Sequence, residues 1–309
     1  MKKSVHILLT AVCVLMCLCL PFILCSASSM AEGAEEEKAA GAKALPVDFS
    51  AGSVPDPEGW TENGYSDDTI TVRAETREED GVIWRIVYVD IAHPSQLRTA
   101  TAGKLSSTKV ARPSSMAESK NAIAAINGDY FSNDPNKTTF EYRQGQKIRQ
   151  KTNKKKDLLI IDMDGNFHTF IKCGADGKAE LEKYLDEGGT IMDAFTFGPV
   201  LVKGGMRMRM DTEYGYNPNG REPRAAIGQM GELSYVLVVA EGRSASSDGV
   251  THQELADFMF GLGCIEAFNL DGGNSATLIF HGDFYMNRTP SSERSQSDII
   301  YFASAREAE

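Results

Sequence analysis

A short segment near the C-terminus combines a carboxylate, two glycines and a hydroxyl in an order that suits ligand binding. In Asn269–Ser275 (NLDGGNS), an apolar stretch leads to Asp271, and Gly272 and Gly273 follow it directly. Glycines allow positive φ angles and let a ligand approach backbone N–H groups closely. Together with the Ser275 hydroxyl, this pattern predicts a site for a phosphorylated or sugar ligand. The same residues between two apolar runs are also typical of a β-hairpin turn, which local sequence alone favours.

A second segment has a similar composition. In Ala124–Phe131 (AAINGDYF), an apolar stretch ends at Asn127, and Asp129 follows two residues later. The aromatic rings of Tyr130 and Phe131 are suited to stacking on a sugar. A plain turn followed by two core aromatic residues explains the segment equally well.

Two further charged residues are candidates for the same site. Arg224 precedes the apolar stretch Ala225–Gln229, a position from which a guanidinium can hold a phosphate through two hydrogen bonds. A surface ion pair is the default interpretation of this arginine. Glu254 follows Thr251 at the spacing of a helix-capping box, which explains it structurally before any catalytic role is needed.

Other kinds of catalytic or metal site lack a sequence pattern. None of the five histidines has metal-ligand spacing to another. There is no Cys/His zinc set, no G-x-S-x-G motif, no P-loop and no Rossmann fingerprint. A hard divalent cation such as Ca²⁺ or Mg²⁺, held by Asp and Asn oxygens, stays open, although the spacing does not require one.

The composition narrows the class of protein. The chain has 309 residues, of which 42% are hydrophobic and 24% charged, and a formal net charge of −11. These values are ordinary for a globular protein and exclude a disordered chain, a collagen-like polymer and a protein with many membrane spans. The acidic surface also argues against nucleic acid as a partner, because duplex binding depends on Lys and Arg at the phosphates.

The segment 137–156 is a basic exception in this acidic chain. It carries eight basic residues, namely Lys137, Arg143, Lys147, Arg149, Lys151, Lys154, Lys155 and Lys156. A solvated hairpin is the favoured interpretation. The functional alternative is a patch that binds an anionic polymer or a lipid head group.

The N-terminus indicates export. Residues 1–27 have a basic start and an almost wholly apolar run, which is typical of a secretory signal peptide or an N-terminal membrane anchor. Either form places the rest of the chain outside the cytoplasm, secreted or anchored at the cell surface. Residues 28–59 are predicted to form a flexible acidic linker. Outside the leader only Cys173 and Cys264 remain, either as one disulfide or as two buried thiols.

Residues 60–305 predict a single α+β domain with a mixed β-sheet core and a few short helices. Helices are predicted at Pro113, where Ser115 and Glu118 have capping-box spacing, at Lys178–Glu187 and from Thr251 to Leu262. Strands are predicted at Thr69–Ala74, Val82–Ile91, Ala122–Ile126, Leu158–Met163, Phe167–Ile171, Ile191–Phe195, Val200–Lys203, Ala225–Gln229, Ser234–Ala240, Ile265–Leu270, Ala276–Phe280 and Ile299–Phe302, with a hairpin at Phe140–Gln150.

Taken together, these segments resemble the phosphodiester glycosidase family, which includes bacterial exopolysaccharide-associated domains. The resemblance covers residues 60–305 in the family's order. It is carried by AIAAINGDYF at 122–131, FGPVLV at 197–202, RAAIG at 224–228, VVAEGRSASSDG at 238–249 and, most specifically, AFNLDGGNSATL at 267–278. Asn274 stands where many members have a third glycine. That departure is expected to stiffen the turn while it keeps Asp271 and Ser275 in place.

The resemblance implies an extracytoplasmic hydrolase that cleaves a sugar-1-phosphodiester, with an N-acetylhexosamine diester as the first expectation, in cell-envelope or exopolysaccharide metabolism. Asp271 is then the principal carboxylate, acting as base or nucleophile, with Asp129 or Glu254 as its partner. The expected substrate-binding residues are Asn127, Arg224, Arg243, Gly272, Gly273 and Ser275. Two alternatives stay open: a non-catalytic module that binds envelope polysaccharide, and a metal-dependent phosphodiesterase.

Overall fold

Antiparallel β-sheet makes up most of the structure, a computed structural model that describes residues 43–105, 109–128, 139–174, 176–210, 215, 217–287 and 292–307. Every strand pairing among these residues is antiparallel. The predicted β-rich domain with a few short helices is therefore confirmed, whereas the expectation of a mixed sheet is wrong. Short turns join many of the strands, and such connections permit antiparallel pairing, while parallel pairing needs long crossovers.

The largest sheet contains nine strands. In spatial order they are β1 (Trp60–Thr61), β2 (Gly64–Ser66), β3 (Ile70–Glu79), β4 (Val82–Ile91), β15 (Ser234–Ala240), β14 (Arg224–Gly231), β16 (Glu266–Leu270), β12 (Val200–Lys203) and β13 (Met206–Arg207). The central strands β15, β14 and β16 are buried over nearly their whole length, because both faces of the sheet are covered.

Two five-stranded sheets complete the core. One has the order β10 (Phe167–Phe170), β9 (Asp157–Ile161), β11 (Asp193–Phe197), β7 (Phe140–Arg143) and β8 (Gln146–Gln150). The other has the order β18 (Asp283–Phe284), β17 (Leu278–Phe280), β6 (Ala122–Asn127), β19 (Asp298–Ala303) and β5 (Leu97–Thr101). Buried side chains from all three sheets, among them Ile227, Phe195 and Ile126, form one apolar cluster.

Three α-helices lie among the described residues: α1 (Pro113–Glu118), α2 (Asp176–Asp186) and α3 (His252–Gly261). The predicted capping box of α3 is present, since the Thr251 hydroxyl accepts from the Glu254 N–H at 3.1 Å and the Glu254 carboxylate accepts from the Thr251 N–H at 2.8 Å. The predicted box of α1 is wrong. That helix begins at Pro113, whose fixed φ suits the first helical position, and has no side-chain cap.

The end of the predicted linker packs against the domain. Leu45 contacts the apolar cluster between α1 and the sheet that contains β19. The Gly52 N–H donates to the Lys120 carbonyl at 3.1 Å, and Ser53 pairs with Ser304 across an isolated β-bridge. Residues 43–59 thus contribute contacts to the fold. The predicted leader, residues 1–27, lies outside the described residues.

No helix in the described part of the chain has the length and apolar character needed to cross a membrane.

Cys173 and Cys264 are both free and buried. Cys173 belongs to the apolar cluster beside β9 and α2, whereas Cys264 packs in the separate cluster beneath α3. Burial raises the pKa of each thiol to about 12. The alternative of two buried thiols is therefore confirmed.

A buried ion pair joins the two five-stranded sheets. Arg143, at the end of β7, donates through Nε to the Asp298 carboxylate of β19 at 2.8 Å. Both side chains are only 1% exposed, and the Arg143 guanidinium lies 4.0 Å from the centre of the Phe195 ring. Its Nη1 also donates to the Ala194 carbonyl at 2.5 Å. Each charge of the pair is therefore compensated away from water.

Replacing Asp298 by alanine should destabilise the protein by about 3–5 kcal/mol, because the Arg143 charge stays buried without its carboxylate. Urea unfolding of the purified protein measures this loss. The control is Glu75→Ala, which removes the partly exposed partner of Arg73 and Arg77 and should cost less than about 1 kcal/mol. Equal losses in the two variants would contradict a structural role for the buried pair.

Candidate active site

The Asp271 segment connects two different sheets. β16, which precedes it, pairs with β14 and β12 in the nine-stranded sheet, whereas β17, which follows it, pairs with β6 and β18. Between them Gly273–Ser275 form a 3-10 turn in which Gly273 has a φ of 60°. The hairpin interpretation is therefore wrong, because the two flanking strands bond to distant partners and not to each other. Asp271 consequently stands at the junction of the sheets.

Asn127 fixes this junction from the end of β6. Its Nδ2 donates to the Asp271 carbonyl at 2.7 Å and to the Gly128 carbonyl at 3.1 Å, and its Oδ1 accepts from the Thr277 N–H at 2.9 Å. The side chain is completely buried. Because its side chain bonds main-chain groups on both sides of the turn, Asn127 positions the segment that carries Asp271.

A cavity of about 260 Å³ opens beside Asp271. It is lined by Phe197, Asn217, Glu222, Arg224, Arg243, Asp271, Gly272 and Gly273. Three of the predicted site positions with charged side chains, Asp271, Arg224 and Arg243, therefore share one cavity with two of the predicted glycines. Two guanidiniums and two carboxylates around so small a space suit a ligand of about one sugar ring with an anionic substituent.

Arg224 is buried, and its hydrogen bonds hold the wall of this cavity. Its Nε donates to the Val250 carbonyl at 3.1 Å, and its Nη2 donates to the carbonyls of Asn217 at 2.8 Å and Gly220 at 3.1 Å. Its Nη1 lies 2.8 Å from His252 Nε2. Burial lowers the pKa of Arg224 to about 10, so the guanidinium is still charged at neutral pH. Arg224 therefore supplies positive charge from a fixed position.

Arg243 is half-exposed and reaches across the turn. Its Nε donates to the Glu222 carboxylate at 2.5 Å, and its Nη1 donates to Asn274 Oδ1 at 3.1 Å. The hydrogen bond from Arg243 holds the pKa of Glu222 below its usual value. A Cβ atom on Gly273 would lie 3.5 Å from both terminal nitrogens of Arg243. The Arg243 guanidinium therefore lies close to the Cα atom of Gly273.

The predicted glycine and serine donors are engaged within the turn. The Gly273 N–H donates to the Pro223 carbonyl at 2.7 Å, and the Ser275 N–H donates to the Gly272 carbonyl at 3.1 Å. A Cβ atom on Gly272 would lie 2.7 Å from the Pro223 oxygen, so only glycine permits this approach. The Ser275 hydroxyl is buried and accepts from Arg294 Nη1 at 3.1 Å.

Sequence reasoning did not single out Arg294 or Glu222. Arg294 opens the segment RSQSDIIYFA at 294–303, and no other candidate lies near it in the sequence. Glu222 closes a loop rich in Gly, Asn and Pro, and one isolated carboxylate in such a loop carries no local pattern. Only the fold brings these two side chains to the Asp271 turn.

Glu254 lines a separate cavity of about 470 Å³, together with Arg221, Trp84 and Phe258. Its carboxylate caps α3 through the Thr251 N–H and forms an ion pair with Arg221. Among the described residues, Glu254 is not part of the lining of the Asp271 cavity. The structural interpretation of this residue as a helix cap is confirmed.

Asp129, the other predicted partner carboxylate, lies outside the described residues. Within the described ranges, no three or more His, Cys, Asp and Glu side chains are grouped so that they could hold a metal ion.

The phosphodiester glycosidase family model matches residues 120–303. The chain belongs to the phosphodiester glycosidase family. The match includes Asn127, Arg224, Arg243 and the Asp271 turn, so the site described above lies within the family domain. This family comprises hydrolases of glycosyl phosphodiesters.

Individual relatives are more distant. An uncharacterised SPbeta prophage-derived protein of Bacillus subtilis strain 168 is 32% identical over 108 residues, which cover 35% of this chain and 17% of that protein. The chain thus spans less than a fifth of the length of the curated relative that it matches.

Two solved structures share the fold of this phosphodiester glycosidase domain. A hypothetical protein from Synechocystis has a TM-score of 0.55 and 16% identity, over 76% of this chain and 62% of that one. The zebrafish N-acetylglucosamine-1-phosphodiester α-N-acetylglucosaminidase catalytic domain, auto-inhibited by its pro-peptide, has a TM-score of 0.56 and 17% identity, over 76% and 82%.

His252, at the start of α3, makes the stability of this region depend on pH. Because a guanidinium can only donate, His252 Nε2 accepts from Arg224, and the ring is neutral. Burial and the charge of Arg224 lower the pKa of His252 from 6.5 to about 3. Between these values the unfolded chain binds a proton that the folded protein excludes. The contribution of His252 to the free energy of unfolding is therefore fully present above about pH 6.5, and it is lost as the pH decreases.

We expect His252→Gln to remove this dependence, because the glutamine Oε1 can accept from Arg224 without titrating. Urea unfolding at several pH values between 7 and 4 measures the effect. The unsubstituted protein should lose about 1.4 kcal/mol per pH unit more than the variant below pH 6.5. Parallel stability profiles for the two proteins would show that His252 does not stay neutral in the folded state.

Proposed function

We propose that the Asp271 cavity hydrolyses a glycosyl phosphodiester by cleaving the bond between the anomeric carbon and the phosphate oxygen. One observation carries the proposal: Asp271 lines a cavity of about 260 Å³ together with Arg224 and Arg243. Membership of the phosphodiester glycosidase family supports the same chemistry.

The charges of the cavity match the demands of this reaction. A phosphate monoester leaves the anomeric carbon as a stable anion, so the reaction needs little help from a general acid. It needs stabilisation of the leaving charge and a carboxylate on the opposite face of the sugar. Glu222 has a lowered pKa because it pairs with Arg243, and it is therefore ionised at neutral pH. Arg224 and Arg243 supply the positive charge that the leaving phosphate requires.

Asp271 is the proposed reacting carboxylate, either as the nucleophile at the anomeric carbon or as the base that activates water. Its place is fixed by the buried strand β16 on one side and by Asn127 on the other. Such rigid placement is what nucleophile and base roles require. Asp129 stays a proposed partner.

Arg243 and Arg294 are the proposed phosphate ligands. Arg243 bonds Asn274 and Arg294 bonds Ser275, so two guanidiniums that are not deeply buried contact neighbouring residues of the same turn. Arg224 donates to three carbonyls and to His252, and it therefore acts mainly as a positioning residue that adds positive charge.

The sugar and the compartment are further parts of the proposal. The name of the zebrafish structural relative refers to N-acetylglucosamine-1-phosphodiester, and we extend an N-acetylhexosamine to this chain as the first substrate to test. The apolar leader at residues 1–27 supports an extracytoplasmic enzyme that acts on the cell envelope or on exopolysaccharide.

Replacing Asp271 by asparagine should lower kcat at least about 1,000-fold, because the amide keeps the shape and removes the charge that attacks or deprotonates. The assay follows release of N-acetylglucosamine from UDP-N-acetylglucosamine and from the methyl diester of N-acetylglucosamine 1-phosphate. Asp257→Asn is the matched control, since Asp257 is half-exposed on α3 and pairs with Arg207. Undiminished turnover by the Asp271 variant would refute the site.

The position of bond cleavage separates a glycosidase from a phosphodiesterase. Hydrolysis in water labelled with oxygen-18 should place the label on the sugar hydroxyl, because the C–O bond breaks. Label in the phosphate would assign P–O cleavage. Glycan binding without turnover of any anomeric phosphodiester would support the non-catalytic alternative.

Arg294→Gln should weaken binding of the inhibitor N-acetylglucosamine 1-phosphate about 10- to 100-fold, because one charge-assisted hydrogen bond to phosphate is lost. Binding of uncharged N-acetylglucosamine should change less than about 2-fold. The inhibition constants of both compounds are measured for Arg294→Gln, for Arg243→Gln and for the exposed control Arg207→Gln. Equal loss for the charged and the uncharged inhibitor would contradict a phosphate-binding role.

A further inference from the structure

The segment that follows β8 is rich in lysine. We name residues 151–156 (KTNKKK) the lysine loop. Lys151, Lys154 and Lys155 are exposed, and none of them forms an ion pair with a described residue. In the hairpin before the loop, Arg143 pairs with Asp298 and Arg149 pairs with Glu141. The predicted hairpin over Phe140–Gln150 is confirmed. Its two arginines form ion pairs within the fold, whereas Lys151, Lys154 and Lys155 are available to a ligand.

The lysine loop borders a cavity of about 1080 Å³. Lys154, Lys155 and Lys172 are among its lining residues. Of its two acidic lining residues, Glu180 is paired with Lys203 at 2.6 Å. Three lysines and two acidic residues thus line this cavity, although the whole chain carries a net charge of −11.

The loop ends at the wall of the active-site cavity. The Lys156 ammonium lies 5.0 Å from the centre of the Phe197 ring, and Phe197 lines the Asp271 cavity. The next residue, Asp157, is completely buried and accepts from the N–H groups of Lys172 and Val200, each at 2.7 Å. These bonds tie the start of β9 to Lys172, which lines the larger cavity, and to Val200, which lies three residues after Phe197.

We infer that the lysine loop and its cavity bind the part of a linear polyanion that adjoins the scissile unit, so that the substrate is a polymer with repeated phosphate groups. This inference rests on the proposed function and names its substrate class. The Asp271 cavity holds about one sugar-phosphate unit, whereas the larger cavity can take its neighbours. The remaining acidic surface repels a polyanion, and the lysine loop attracts it towards the active site.

The inference is tested with Lys154→Glu/Lys155→Glu in the full-length protein. The matched control is Lys43→Glu/Lys104→Glu, which makes the same change in net charge at lysines that line neither cavity. Two substrates are compared: poly(N-acetylglucosamine 1-phosphate) and the methyl diester of N-acetylglucosamine 1-phosphate. The loop variant should lose about 10-fold in kcat/KM on the polymer at low salt and less than about 2-fold on the small diester.

A binding measurement keeps this result separate from the proposed catalysis. Fluorescence anisotropy with labelled inorganic polyphosphate should show about 10-fold weaker binding for the loop variant, and addition of about 0.2 M salt should remove the difference through screening. Equal kcat/KM losses on both substrates, or unchanged polyphosphate binding, would overturn the inference. Loss of binding to phosphatidylglycerol vesicles, with polyphosphate binding intact, would assign the loop to a membrane surface. Absence of turnover with lysine-dependent polyphosphate binding would refute the proposed reaction alone.

Discussion

The arrangement of the site depends on the buried amide of Asn127. Its two ends bind the main chain on either side of the segment from Asp271 to Thr277, which crosses from the nine-stranded sheet to a five-stranded one. Because the amide is completely buried, water does not compete for these bonds, and each is stronger than it would be at the surface. The Asp271 carboxylate is thereby held at a junction whose two sheets share one apolar core. The geometry of the candidate site and the packing of the core consequently depend on the same contacts.

The two buried arginines, Arg224 and Arg143, have partners of different kinds. Arg224 donates to three main-chain carbonyls and to a neutral histidine, so peptide dipoles help to stabilise its buried charge. Arg143 shows the opposite arrangement, because Asp298 neutralises it inside the core. A positive charge that is held in place beside a cavity favours an anionic ligand, and it needs no reorganisation when the ligand binds. Arg143 is thus a structural residue of the core, whereas Arg224 contributes positive charge to the candidate site.

Local sequence was sufficient where a structure depends on neighbours in the chain. The α3 cap at Thr251 and Glu254, the β7–β8 hairpin and the buried strand β16 all have short-range patterns. It failed where the pairing partner is remote: the residues around Asp271 favour a hairpin, yet β16 and β17 bond to β14 and β6 from far earlier in the chain. Glu222 and Arg294 also reach the site through contacts between remote segments. An isolated charged residue in a loop has no local pattern from which such a contact could be predicted.

Asn274 shows how a departure from a family pattern can act through a side chain. The family resemblance led us to expect a stiffer turn where a third glycine is replaced. In the structure the Asn274 Oδ1 accepts from Arg243, while Glu222 accepts from the same guanidinium at its Nε. Glycine has no atom that could make this contact. Two acceptors attached to different segments restrict the rotamers of a half-exposed arginine, so less conformational entropy is lost when a phosphate binds. The substitution therefore preorganises the proposed phosphate ligand, and Gly272 and Gly273 suffice for the close approach of the turn to Pro223.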